Sequence, residues 1–374
     1  MSATGRDQAP APSPSDLAAA LNESAFVRLV SDATGDSLAG TGVLARALTA
    51  DDTPFQASVV GPFANPDRTT EADVTVALGA GHSTADHTLS AQPAATAFAV
   101  ARELGASPDP VLALAGTIAG GDVDGTVADA AERSGLERRP GLAVPVADIA
   151  DGLAHSTLLS GPFSGDAEAA RTALAELDLP STTSADLTDD GHRRVASMVA
   201  LAVTEDAPER ATDAVARGLH PYAGGPFETV GGYADVLDAV AREAPGTGIA
   251  LALGHEGVRE NALSAWRTHA SDAHRAVADA TTGRYDGLFV ARGDAMPVGT
   301  VARLVADFQA PEPVALVVTD GEAAARATDG RDVAATMRAA TDDIAGETVG
   351  QGDRARAQFD VPTSELIEAF REAV

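Results

Sequence analysis

The sequence predicts an α/β protein with a parallel-sheet domain, a mostly helical connector and a smaller C-terminal α/β domain. Three observations support this: apolar runs alternate with helix-like segments in the first third, the middle is helical, and alternation returns in the last third. Strands alternating with helices favour a parallel sheet covered on both faces. The chain has 374 residues, 45% of them hydrophobic, which suits two or three packed cores.

The predicted domain boundaries follow these changes of pattern. Residues 1–16 are rich in Pro, Ser and Ala and are expected to form a disordered tail. The first α/β domain is predicted over 17–158, the helical connector over 159–259, and the C-terminal domain over 260–374.

Individual elements are predicted from apolar periodicity and from end signals. The predicted strands are 26–30, 55–60, 72–79, 248–254, 287–294 and 313–320. The predicted helices of the two α/β domains are 41–50, 93–105, 110–121, 260–280, 300–310, 332–344 and 365–374. In a parallel sheet, ligands bind at the carboxyl ends of the strands, so the turns after 26–30 and 72–79 are the first places to look for a site.

The composition is strongly acidic, with a net charge of −29, and all 26 basic residues are arginines. The acidic residues are spread along the chain, which favours adaptation to high salt over a partner-specific device. Overall acidity therefore does not exclude nucleic-acid binding. The chain lacks cysteine, which excludes disulfides and cysteine-ligated metals. No apolar run approaches the length of a membrane span, and no secretory signal begins the chain, so we expect a cytoplasmic protein.

Acidic and histidine side chains follow the predicted strands and one helix of the first domain. Carboxylates and imidazole are ligands of Mn²⁺ and Mg²⁺, and two such ions can activate water on a phosphodiester. Each side chain alone could equally cap a turn or lie on the surface. The candidate ligands are Asp32, Asp36, Asp86, His87 and Asp122, with His82 nearby.

The order of these stretches resembles the RecJ-like branch of the DHH phosphoesterase superfamily, which includes archaeal single-stranded-DNA exonucleases and GINS-associated nucleases. The turn DATGDS (32–37) is similar to the family's D-x-D-G-x-S motif, and VALG (76–79) to its second motif. The name-giving Asp-His-His is similar to DHT (86–88). The family's G-A-I-G-D is similar to GTIAG (116–120), with Asp122 two residues late.

The last third resembles the family's nucleic-acid-binding C-terminal domain. AAARAT (323–328) carries an arginine at the position of a family arginine, and 349–357 is similar to the family's G-G-G-H-x-x-A-A-G. The two arginines of RAR (354–356) lie on one face if that segment is a strand. Surface ion pairs with carboxylates are the alternative role. The residues that the resemblance implies for nucleic-acid contact are Arg326, Gly350, Gly352, Arg354 and Arg356.

The sequence departs from the family at most of the metal-binding positions. The departures are Thr34, Ala77, Thr88, Gly120 and, in place of the C-terminal histidine, Asp353 or Arg354. These side chains cannot supply the lost negative charge, so we expect no paired-metal site and no cofactor. Asp32, Asp86 and His87 are the candidate catalytic remnants. Mn²⁺ or Mg²⁺ is expected only if the protein is active.

The resemblance implies a degenerate RecJ-like protein in DNA replication or repair, which binds single-stranded nucleic acid and joins GINS and MCM proteins. Two alternatives stay open at this point. One is a working single-strand exonuclease with a site rebuilt from the five candidate ligands. The other is a small phosphoesterase that cleaves cyclic dinucleotides or short oligonucleotides.

Overall fold

A computed structural model describes residues 13–64, 71–79 and 85–374 of the chain. The α-helices are α1 Pro14–Asn22, α2 Gly35–Ala50, α3 Pro93–Glu103, α4 Pro110–Gly120, α5 Gly125–Arg133, α6 Ile149–His155, α7 Ala167–Ala175, α8 Asp189–Thr204, α9 Ala211–Gly218, α10 Val230–Glu243, α11 Pro245–Ala252, α12 Arg259–Asp279, α13 Val298–Phe308, α14 Val333–Asp343 and α15 Thr363–Ala373. The strands are β1 Val27–Asp32, β2 Phe55–Val60, β3 Val74–Leu78, β4 His87–Leu89, β5 Glu137–Arg138, β6 Tyr222–Ala223, β7 Thr281–Tyr285, β8 Leu288–Arg292, β9 Val314–Val318, β10 Glu322–Ala327, β11 Glu347–Gln351 and β12 Arg354–Gln358.

The first domain is built on a parallel sheet with strand order β2-β1-β3-β4. The first five residues of β1 are buried, as expected for a central strand covered on both faces. The register pairs Ser31 with Leu78, and Leu78 with Leu89. The carboxyl ends of β1, β3 and β4 therefore meet at one edge of the sheet, where α2 begins.

Two helices of the predicted connector pack in the core of the first domain. Val236 and Leu237 of α10 and Leu251 of α11 are buried in the same apolar cluster as Leu29 and Leu78 of the sheet. The predicted division at residue 159 thus separates parts of one core, because residues distant in the chain return to cover the sheet.

The C-terminal domain contains a six-stranded sheet with the order β11-β12-β10-β9-β8-β7. Strands β8 and β9 are parallel, while the other pairs are antiparallel. Helices α14 and α15 cover one face through Met337, Leu366 and Phe370. On the other face, α13 packs in a separate apolar cluster with residues from the middle of the chain. The predicted α/β class, with a parallel sheet and a separate C-terminal sheet domain, is confirmed.

Helix α12 joins the first core to the middle core. Its Trp266 is buried with the first domain, while Ala273 and Val277, further along the helix, pack with the middle cluster. The C-terminal sheet begins at Thr281. The predicted boundary at residue 260 therefore falls at the start of α12, a helix that packs in both the first core and the middle core.

Two other predictions are wrong in detail. Residues 248–254 were expected to form a strand, but α11 is a helix with Pro245 in its first turn, where proline is well tolerated. Of the expected disordered tail, residues 1–12 lie outside the described residues. Residues 14–16 belong to α1, which Ser13 caps by accepting a hydrogen bond from the Asp16 N–H.

Candidate functional site

The turn between β1 and α2 places Thr34 where the resemblance expects a second metal-binding aspartate. Thr34 is the N-cap of α2, and its Oγ1 accepts a hydrogen bond from the Ser37 N–H at 3.3 Å. The Thr34 hydroxyl also donates to Ser37 Oγ at 3.0 Å. At this position the structure therefore has a helix cap.

Asp36 lies beside the position of the fourth family aspartate. Its Oδ1 accepts a hydrogen bond from the Ala94 N–H at 2.9 Å. A Cβ atom added at Gly120 would lie 2.8 Å from Asp36 Oδ2, so a side chain at Gly120 would require the Asp36 carboxylate to shift. Burial raises the pKa of Asp36 to about 7, and Asp238 adds to the rise, although the Ala94 N–H and the Arg354 charge oppose it.

Asp86 and His87 do not join Asp32 at the carboxyl edge of the sheet, so this prediction is wrong. Strand β4 begins at His87 and pairs it with Val76, whereas Ser90 follows the end of β4 at that edge. Asp86 precedes Ser90 by four residues, about 13 Å along an extended chain. Its Oδ2 accepts a hydrogen bond from the Thr75 N–H at 2.8 Å, near the start of β3.

The remaining candidate ligands do not complete a metal site. Asp122 is exposed beyond α4 and accepts a hydrogen bond from Gln92 Nε2 at 2.7 Å. His82 lies outside the described residues. Within 13–64, 71–79 and 85–374, no three His, Asp or Glu side chains are placed to hold a metal ion. The paired Mn²⁺ or Mg²⁺ ions of active relatives need several bridging and terminal carboxylates, and this donor set does not fit them.

Three arginines of the C-terminal sheet lie on one face. In the antiparallel register, Arg326 of β10 stands opposite Arg354 of β12, and Arg356 follows two residues later on the same face. This face is turned towards the first domain, because Arg354 Nη2 donates a hydrogen bond to the Gly120 carbonyl oxygen at 3.2 Å. The RAR segment is a strand, which was the condition for its two arginines to lie on one face. We call the space between this face and the end of α4 the cleft.

The two glycines predicted to approach phosphate have a structural role in the β11–β12 hairpin. Gln351 pairs with Arg354, so Gly352 and Asp353 form a two-residue turn. Gly352 has a φ of +60°, which glycine adopts at little cost. A Cβ at Gly350 would collide with the Arg354 carbonyl oxygen. The hairpin by itself explains both glycines.

Sequence reasoning missed three charged residues of the cleft. Asp238 of α10 accepts a hydrogen bond from the Gly35 N–H at 3.0 Å, at the start of α2. Arg242, one helical turn later, forms an ion pair with the Asp238 carboxylate. Arg303 of α13 donates to the Thr157 carbonyl oxygen and to its Oγ1, both at 2.9 Å. The i,i+4 spacing of Asp238 and Arg242 was a signal, but one that usually marks a surface ion pair.

The cation environment of the cleft changes the pKa values of these groups. Burial alone would raise the pKa of Asp238, but Arg242, Arg303 and the Gly35 N–H together lower it to about 2. Burial lowers the pKa of Arg356 to about 10, and the nearby charge of Arg242 lowers it further than Asp238 can restore. Burial also lowers the pKa of Arg326. Arg242 is therefore close enough to act on Arg356, and Arg354 and Arg303 are close enough to act on Arg326.

Arg356 lies at the centre of this group. A Cβ at Gly299 would overlap the Arg356 guanidinium, so the first turn of α13 leaves room for it. In the part of the chain that the structure describes, the side chain of Arg356 has no hydrogen bond or ion pair. Its donors are thus available to a ligand.

A protein of Haloarcula marismortui, described as "Uncharacterized protein rrnAC1427", is 70% identical over 374 residues, covering all of both chains. The chain belongs to the rrnAC1427 family. The family model described as the C-terminal domain of rrnAC1427 matches residues 280–372, which include the C-terminal sheet and its two covering helices.

Solved structures share the fold of this rrnAC1427-family protein at low identity. CDC45 from Entamoeba histolytica has a TM-score of 0.60 at 8% identity, over 96% of this chain and 98% of that one. RecJ from Thermus thermophilus in complex with Mn²⁺ has a TM-score of 0.52 at 15% identity, over 98% of this chain. This chain spans about half of that RecJ, 55%. The chain therefore shares the fold of CDC45 and RecJ.

Among the helices that the structure describes, none is both long enough and apolar enough to cross a bilayer.

Proposed function

We propose that this protein binds single-stranded nucleic acid in the cleft and does not cleave it. The observation that supports this most is the arginine face of β10 and β12, which is turned towards the edge of the parallel sheet. Arginine is suited to phosphate because its planar guanidinium donates two parallel hydrogen bonds. In a chain with a net charge of −29, a group of arginines at one cleft is a local reversal of charge.

The proposal that cleavage is lost rests on the positions of the candidate ligands. Thr34 is used as a helix cap, a side chain at Gly120 would displace the Asp36 carboxylate, and Asp86 lies at the other end of its strand. Activation of water by two metal ions needs the ligands that these positions lack.

We also propose a role among replication or repair proteins, with GINS and MCM as partners. The support is the sequence resemblance to the RecJ-like branch, together with the fold shared with RecJ and CDC45. Recovery of these partners from native cytoplasm at native salt would test the assignment, and their absence from such a preparation would contradict it.

Incubation with end-labelled single strands of DNA and RNA in concentrated KCl with Mn²⁺ tests the proposed function. We expect bound, intact strands. End-degradation that Asp32→Ala abolishes and the control Asp166→Ala leaves unchanged would overturn the proposal in favour of an exonuclease. Asp166 is a suitable control because it caps α7, a helix of the connector. Turnover of dinucleotides without action on longer strands would favour a small phosphoesterase.

A further inference from the structure

We propose that the cleft arginines stand in for the divalent cations of metal-dependent relatives, so that this protein binds the phosphates of a single strand without metal. The inference rests on the proposed function and adds how the strand is held. It arises from a disagreement between the family and this chain: the carboxylates that would hold metal are missing, and guanidinium groups lie at the same edge of the sheet.

The first step is the position of Arg354. At Gly120, where the resemblance expects a metal-binding aspartate, the helix ends in a carbonyl oxygen that accepts a hydrogen bond from Arg354 Nη2 at 3.2 Å. Arg354 also acts electrostatically on Asp36 in the first turn of α2. A positive charge thus lies near the Asp36 carboxylate, beside the positions that the resemblance assigns to metal ligands.

Among the described residues, the cleft has more arginines than carboxylates that pair with them. Five arginines face the cleft, and among the described residues two carboxylates form ion pairs with them. Arg242 pairs with Asp238, while Arg326 and Arg354 share Asp353 at 3.7 and 3.5 Å. The five arginines are Arg242, Arg303, Arg326, Arg354 and Arg356.

The other carboxylates near the cleft do not remove this excess. Asp32 and Glu322 act electrostatically on Arg356, but among the described residues neither forms an ion pair with it. Asp307 is already bound by Arg217 at 2.6 Å. An anion entering the cleft therefore meets cations whose charge the protein has not neutralised, which strengthens its binding.

The Arg356 guanidinium has hydrogen-bond donors that a ligand can use. Arg356 has no acceptor among the described residues, and it lies against Gly299 at the start of α13. The first turn of that helix contains no acidic residue and no side-chain cap. Its backbone N–H groups add partial positive charge beside the guanidinium, so a phosphate is the chemistry that fits both.

This arrangement also separates binding from cleavage. A metal ion binds phosphate and lowers the pKa of its bound water, which generates the attacking hydroxide. A guanidinium supplies only the first of these effects, because it donates hydrogen bonds but does not ionise water. The cleft is therefore built to hold a phosphodiester and lacks the means to hydrolyse it.

The test measures the fluorescence anisotropy of a labelled 15-residue oligothymidylate over a series of KCl concentrations, with EDTA or with Mn²⁺. We expect the same Kd in both. We expect Arg356→Gln to weaken binding about tenfold and to make the dependence of log Kd on log[KCl] shallower by about 0.7. The matched control is Arg171→Gln, because Arg171 is exposed on α7 and pairs only with Glu168 one turn away.

The outcomes separate this inference from the proposed function. If the wild type binds no strand under either condition, the proposed function fails. If it binds only with Mn²⁺, or if Arg356→Gln and Arg171→Gln bind alike in EDTA, the function stands and the inference is overturned. Should Arg356→Gln not fold, Arg354→Gln replaces it, since Arg354 is 54% exposed.

Discussion

The carboxylate of Asp36 fills the space beside Gly120, where a Cβ atom would lie 2.8 Å from Oδ2. The two residues come from α2 and from the end of α4, and the contact closes the position that the resemblance assigns to a metal ligand. Restoring the family aspartate at 120 would place two carboxylates in the space of one. The Asp36 carboxylate thus occupies the space that a side chain at position 120 would need.

Gly120→Ala should destabilise the protein by about 1–3 kcal/mol, because the added methyl group displaces the buried Asp36 carboxylate. Asp36→Ala should relieve much of this cost, so the double variant is expected to be more stable than the sum of the single changes predicts. Urea unfolding measures the effect. Gly125→Ala is the control, since a Cβ there meets nothing within 4 Å. Equal losses for Gly120→Ala and Gly125→Ala would argue against the close contact.

The raised pKa of Asp36 should lower the free energy of unfolding as the pH rises. Its folded pKa of about 7 lies above the ordinary value of 3.8, so its contribution is fully present below about pH 4 and is lost as the pH rises towards 7. Asp36→Asn removes the titration and keeps an acceptor for the Ala94 N–H. The variant should therefore gain stability relative to the wild type between pH 5 and pH 8, measured by urea unfolding at constant KCl. Parallel pH profiles would show that Asp36 does not titrate in this range.

Substitutions at Thr34 distinguish a helix-capping role of this residue from a metal-binding role. Thr34→Ala should cost about 1 kcal/mol through loss of the α2 cap, whereas Thr34→Asp keeps an acceptor for the Ser37 N–H and should be nearly neutral. Thr34→Asp also restores the family's second aspartate, yet we expect it to remain inactive with Mn²⁺, because Gly120 and Asp86 are unchanged. Strand cleavage by Thr34→Asp alone would mean that one carboxylate is enough to rebuild the site.

Much of the fold could be predicted from the sequence, because it depends on local patterns. The strand at 26–30 is apolar and ends in an acidic glycine turn, and the RAR segment alternates as a strand must. The run GIALALG was misread as a strand, since a short apolar run has no period that distinguishes it from a buried helix. Pro245, in the first turn of α11, was the signal for a helix.

The site was harder to predict, because its residues are distant in the sequence. They come together only through the strand register of the sheet and the packing of α10 against the first domain. Whether Asp86 precedes or follows a strand depends on β4, which has only three residues. In the sequence, Asp238 and Arg242 have the spacing of an ordinary surface ion pair. Their place in the cleft depends on the packing of α10 against the start of α2. The resemblance assigned Asp32 to metal binding and the three arginines to nucleic-acid contact. Both roles stay predictions.

A crystal structure of the protein with a short oligothymidylate, grown in EDTA, tests the central claim most directly. The account predicts a phosphate within about 2.7–3.2 Å of the Arg356 guanidinium, with the strand lying between β12 and the start of α13. A strand bound on another surface would contradict it. So would a strand that enters the cleft only when Mn²⁺ is supplied and bound at Asp32.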